Sequence, residues 1–241
     1  MARQTAPKRR RRERGSIDPD DIIAGAFELA EQVSLDNLSM PMLGKHLGVG
    51  VTSIYWYFRK KDDLLNAMTD RALREYLLVV PLPTSDHWRD SLVQYAYTMR
   101  KAFLSNPILV DLILIRTTLS PRYSELGAKH IEGLVARLVD AGLDFDDAFN
   151  TFSALQLHLH GSIVLTRLHE KSKEADPEAR IYYEDLAISP ESTPILAEAA
   201  ARGHTGGAPD DRNFDFGMHC ILDHAERLIE SENARAAPQG A

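Results

Sequence analysis

Nine histidines, one cysteine and 35 acidic residues are the groups with which this 241-residue chain could do covalent or metal chemistry. Their spacing argues against both. His158 and His160 stand two apart, so on a helix they point to different faces, and His219 and His224, five apart, share a face poorly. There is no HExxH run, no nucleophile–histidine spacing and no paired acid–base constellation. A lone Cys220 excludes an intrachain disulfide framework and a thiolate-rich zinc site, and it points to a reducing, cytoplasmic setting. No catalytic residue, metal site or cofactor is expected, so the chain is read as a non-enzyme.

The chemistry that remains is recognition without bond making. Val51, Thr52, Ser53, Tyr55, Trp56 and Tyr57 follow a glycine-bearing turn, Gly48-Val49-Gly50. The hydroxyls of Thr52, Ser53 and Tyr57 suit phosphates or base edges, and Val51 suits a thymine methyl. Three consecutive aromatics cannot share one helix face, so at least one points away from any core. Lys60 and Lys61 stand just beyond, placed for backbone phosphates, and the start of the next helix can add backbone donors.

Charge is divided along the chain. Residues 1–16 carry seven bases and one acid, including the run Arg9, Arg10, Arg11 and Arg12, for a net charge of +6, while the other 225 residues carry −13. An acidic body repels a polyanion, so contact with nucleic acid needs a locally basic edge, which this arm and the two lysines supply. Residues 17–70 alone are net −5. The arm lacks core-forming residues and is expected to be disordered by itself. No apolar run reaches membrane-span length: Leu104 to Leu119 is interrupted by Asn106, Pro107, Asp111 and Arg116, and no membrane partner is expected.

The elements that must position these residues are all helical. Asp18-Pro19-Asp20-Asp21 combines an N-cap, a proline at the first helical position and acids in the first turn, followed by Ile22, Ile23, Ala26, Phe27 and Ala30 at helical spacing. Ser39 caps a short helix ended by Gly48, and further helices are predicted over about 52–58 and from Lys61 to before Pro81. Leu43, Leu47, Val49, Ile54 and Phe58 would lock this group together. After the break at Pro81 to Ser85, helices are predicted from Asp86 to Leu104, from Pro107, from Ser120-Pro121 to Ala141-Gly142, and from Asp144 to His169. Lys171 to Glu191 reads as a loop, Pro194 to Arg202 as a small helix, His204 to Asp211 as a break and Phe214 to Glu230 as a last helix. The expected organisation is an all-α chain: a basic arm (1–16), a helix-turn-helix domain (17–80), a helical effector-binding and dimerisation domain (86–232) and a tail (233–241) that frays.

The order Ser39, Leu47-Gly48-Val49, Ile54-Tyr55-Trp56-Tyr57-Phe58, Lys61-Asp62-Asp63-Leu64-Leu65 resembles the DNA-binding domain of the TetR family of transcriptional regulators, over Ile17 to Met68. The resemblance implies that Ser53 reads near a base, that Tyr55 packs or touches a phosphate, that Trp56 and Tyr57 approach the backbone, and that Lys61 reaches a phosphate. Ser39 stands among the implied DNA contacts. This chain departs from the pattern at Gly50, where a serine-type cap is usual, and at Tyr57, where histidine is common. Ser120-Pro121-Arg122, Gly133 to Leu143 and Asp147-Ala148-Phe149 resemble tetracycline-repressor-like effector domains.

That second likeness implies a homodimer formed by the helices from Phe145 and from Phe214, and a largely apolar small-molecule effector held between the helices that begin at Asp86, Pro107, Ser120 and Asp144. Its implied lining is Trp88, Tyr95, Met99, Phe103, Leu112, Ile115, Arg116, Leu134, Phe152, Gln156 and His160. Double-stranded operator DNA would be the second partner, read as a palindrome by two heads and released when the effector shifts helix four. The competing reading is a dimeric helical binding or scaffold protein without operator specificity.

Overall fold

The computed structural model describes residues 17–79, 87–116, 125–178 and 186–236, and every regular element among them is helical. The Arg9 to Arg12 run, the break at Pro81 to Ser85 and the expected helix start at Ser120-Pro121 lie outside the described residues. The chain divides into two units, 1–68 and 69–241.

In the first unit, α1 (Pro19–Val33), α2 (Met40–Leu47) and α3 (Val51–Tyr57) precede the start of α4 (Lys61–Val79). Local chemistry sets their ends. The Asp20 amide donates to Asp18 Oδ1 at 2.9 Å, the Met42 amide donates to Ser39 Oγ at 3.4 Å, and Gly48 closes α2 at φ 69°, a left-handed conformation open to glycine. Ile22, Ala26, Leu43, Ile54, Leu64 and Met68 are fully buried, each large one contributing about 2 kcal/mol on removal from water. Leu47 lies against bare Gly25, where an added Cβ would come within 2.4 Å of its Cδ2. Leu47, Val49 and Phe27 are only half-buried, and Leu29 is buried instead of Phe27.

The second unit is organised around α8 (Phe145–Ala175), which packs on α5 (Trp88–Leu104), α7 (Glu125–Asp140), α10 (Asp211–Ala236) and the segment after α6 (Pro107–Leu109). Asp144 caps α8 by accepting from the Asp147 amide at 2.8 Å, and α9 (Pro194–Ala201) lies where the proline-led, alanine-rich run predicts. Three features correct the expectations. The segment Val110–Arg116 is π-helical. α8 continues past His169 to Ala175, because Arg167 and Lys171 on its last turns reach Asp111 and give the charged extension a partner. α10 runs to Ala236, so residues 233–236 are helical rather than frayed.

Candidate nucleic-acid interface and effector site

α3 and its C-cap turn two residues inward and leave five side chains exposed. Ile54 is fully buried and Phe58, its C-cap, is 8% exposed, whereas Thr52, Ser53, Tyr55, Trp56 and Tyr57 are exposed and Val51 is half-buried. Trp56 is 85% exposed, an exposure with no packing explanation for so large an apolar side chain. Gly50 is the N-cap and, having no side chain, leaves α3 without a side-chain cap. Its φ of −66° is ordinary, and a Cβ built there meets nothing within 4 Å, so neither backbone nor packing demands glycine.

The cations around α3 differ in role. Lys60 is exposed. Lys61 donates from Nζ to the carbonyls of Leu35 at 3.2 Å and Asp36 at 3.0 Å, tying the start of α4 to the α1–α2 turn. Two of its three donors are thereby engaged within the unit. Ser39 likewise spends its hydroxyl on the α2 cap. Arg59, absent from the expected contacts, is exposed beside Lys60, and its charge just past the reading helix was the available signal.

In the second unit, Tyr95, Met99, Phe103, Leu112, Leu134 and Phe152 are buried, while Trp88, Ile115, Arg116, Gln156 and His160 are half-buried. One polar contact joins two of them directly: Tyr95 Oη donates to Gln156 Oε1 at 2.8 Å. Burial pushes the Tyr95 phenol well above its usual range against the opposing effect of that bond. His130, missed from sequence, lies with its ring centroid 5.6 Å from that of Tyr95. Burial lowers the pKa of both His130 and His160, favouring neutral imidazoles. Gln156 and His130, the polar side chains in contact with Tyr95, are therefore uncharged.

His158 has a structural task. Its Nε2 lies 2.9 Å from the Phe214 carbonyl and its ring stacks on Phe214 at 5.4 Å, while the Arg100 guanidinium covers the same ring at 4.6 Å. Gly217 makes room, since a Cβ there would come within 2.4 Å of the His158 ring. Among the described residues no group of three or more His, Cys, Asp or Glu could hold a metal ion, and no helix is long and apolar enough to cross a membrane.

Two further features were not read from sequence. Asp111, 3% exposed, accepts from Arg167 at both carboxylate oxygens (3.2 and 3.1 Å) and from Lys171 at 3.0 Å. Burial opposes the Arg167 charge, but Asp111 and Glu174 outweigh it and hold the pKa above the ordinary value. Separately, α8 and α10 form a groove of about 360 Å³ lined by Asp147, Asn150, Thr151, Cys220, Ile221 and His224, among others. Beyond it on α8, Leu157 (76% exposed), Gly161, Leu165 and Leu168 recur at three- and four-residue spacing.

This geometry meets its counterpart in known proteins. Residues 22–68 match the bacterial regulatory proteins of the tetR family, and residues 80–228 match the tetracyclin repressor-like C-terminal domain. The chain belongs to the TetR family. This TetR-family protein is 58% identical over 97% of its length to an HTH-type transcriptional repressor of Mycobacterium tuberculosis, covering 90% of that protein. It is 28% identical to the class A tetracycline repressor protein of Escherichia coli, covering 93% of this chain and 98% of that one. A solved structure of a possible TetR family transcriptional regulator from Streptomyces coelicolor shares the fold, with a TM-score of 0.66 at 20% identity over 88% of this chain and all of that one. The TetR-family chain is a ligand-responsive transcriptional regulator, and proteins of this kind are not enzymes.

Proposed function

We propose that the protein is a homodimeric repressor that reads a palindromic operator with α3 and is released by a small, largely apolar effector. The observation that carries the DNA reading is the split of α3, with Ile54 and Phe58 anchored inward and Thr52, Ser53, Tyr55, Trp56 and Tyr57 left exposed. Tyr57, Trp56 and Lys60 contact the backbone and Val51, Thr52 and Ser53 the base edges. Arg9, Arg10, Arg11 and Arg12 supply the long-range attraction that an acidic head lacks. The repressor assignment is supported by the 58%-identical transcriptional repressor.

The exposed side chains of Leu157, Leu165 and Leu168, with half-buried Gly161 between them, and the adjoining α8–α10 groove support the dimer, because a two-fold pairing covers the same patch on both copies. Gly161 has nothing within 4 Å of an added Cβ, which leaves room for a partner helix to approach closely. The neutral cluster of Tyr95, Gln156 and His130 supports an uncharged ligand with a few hydrogen-bonding groups. The effector acts by binding the two operator-affinity states unequally.

Genomic DNA fragments selected by the purified protein test this reading. One palindromic site, bound with a steep salt dependence that weakens when residues 1–16 are deleted, supports it. Uniform weak binding would favour a helical binding or scaffold protein without operator specificity.

A further inference from the structure

Val110 through Leu114 are five consecutive buried residues, 1, 3, 0, 8 and 8% exposed in order. A helix buried on every side has no solvent face to set its rotation, and apolar packing is not directional. Slipping Leu112, Ile113 and Leu114 by one position would exchange similar side chains. The one charged residue in this buried run is Asp111, and the Arg167 fork takes both its oxygens while Lys171, one turn further along α8, takes Oδ1 again. A bidentate contact of this kind does not survive a one-residue slip. Buried ion pairs contribute little net stability, and their best-attested use is to hold a register.

The seven residues Val110–Arg116, which contain this run, adopt the π form, which is rare and bonds each carbonyl five residues on instead of four. Relaxation to the α form would shift the following residues by one position, a turn of roughly 100°. We propose that Val110–Arg116 is a two-register switch, held in its π register by the contact of Asp111 with Arg167 and Lys171. Release of that contact lets the segment relax and redirects Leu112, Ile115 and Arg116. Its regulatory meaning rests on the effector reading above, which places those three residues against the ligand. The effector and the ion pair then act on one bistable element, and that is the physical requirement for coupling.

Hydrogen exchange of the full-length protein tests the switch without any ligand. In Asp111→Asn, with helical content retained by circular dichroism, the amides of 110–116 should exchange at least about tenfold faster while those of α10 are unchanged. Uniform acceleration across 69–241 would reduce the pair to a general stabiliser and overturn the proposal, and so would no acceleration at all. If Asp111→Asn does not fold, Lys171→Met removes only the outer cation. A localised acceleration of about threefold in 110–116 supports the switch, and a uniform or absent effect overturns it.

Binding to a genomic fragment selected by the wild-type protein tests the coupling. Asp111→Asn should change its affinity by at least about fivefold, and an unchanged affinity overturns the regulatory role. Failure of the wild-type protein to select any fragment would instead refute operator recognition, with the exchange measurement still deciding the register switch.

Discussion

α3 leaves its three aromatic residues exposed, whereas α5 buries two of its four. In α3, Tyr55, Trp56 and Tyr57 lie 43, 85 and 48% exposed on a seven-residue helix anchored by Ile54 and Phe58. In α5, Tyr95 and Phe103 are 3 and 1% exposed within a seventeen-residue helix that packs on α8. Trp56, the most exposed of these aromatics, should cost the fold little when removed, so its loss should be felt in what it binds. Buried ones serve the core first, and any contribution to ligand binding is inseparable from packing. The two units should therefore respond to mutation on different axes.

The largest effect should come from the buried side. Phe103→Ala is expected to lower stability by about 3–5 kcal/mol, read from urea denaturation, and a loss below about 1 kcal/mol would break the contrast. Trp56→Ala is expected to reduce operator affinity about tenfold or more while stability moves by no more than about 0.5 kcal/mol. A Trp56 variant that unfolds instead would show the side chain to be core.

Tyr95→Phe removes only the hydroxyl bonded to Gln156 and should cost about 1 kcal/mol of stability, with effector affinity falling in titration calorimetry. A variant with unchanged ligand affinity would limit Tyr95 to packing.

His130 and His160 provide a smaller, pH-dependent effect. Their folded pKa values lie below the ordinary histidine value, so the unfolded chain binds more protons in the interval between the two. Their contribution is fully present above the unfolded pKa, and stability falls as pH drops through that interval. His160→Gln should flatten this slope in denaturation curves taken across the acid range, and an unaltered slope would exclude His160 as its source. Smallest of all, Gly50→Ser should raise stability by only a few tenths of a kcal/mol by capping α3. If it simultaneously weakens operator binding, the bare backbone at Gly50 is needed for close approach of DNA.

Legibility in the sequence followed the range of the interaction. The Asp18, Ser39 and Asp144 caps and the Gly48 stop depend on bonds spanning a few residues, and each lies where its residue type predicts. The core of the first unit was largely readable from apolar periodicity, apart from the exchange of Leu29 for Phe27 and the half-burial of Leu47 and Val49. Lys61 shows the limit. Its position after the reading helix pointed to a phosphate, but the carbonyls it reaches belong to residues 35 and 36, and no local pattern announces them. His130 was overlooked because its relation to Tyr95 exists only across two packed helices.

The amino-acid order by itself determined an all-helical chain, the two-helix reading element and the division between a basic arm and an acidic body, because caps, turns and apolar periodicity act over a few residues. Tertiary structure alone decided which cation meets which carboxylate. Asp111 appeared only as an interruption in an apolar run, Arg167 as part of the last turn of the expected helix to His169, and Lys171 as the start of a charged loop. Arg167, 56 residues from Asp111 in the chain, and Lys171 beyond it meet that carboxylate, extend α8 and join it to a π-helical turn. A buried charge is tolerated only where a partner from elsewhere in the chain meets it, and that partner is chosen by packing.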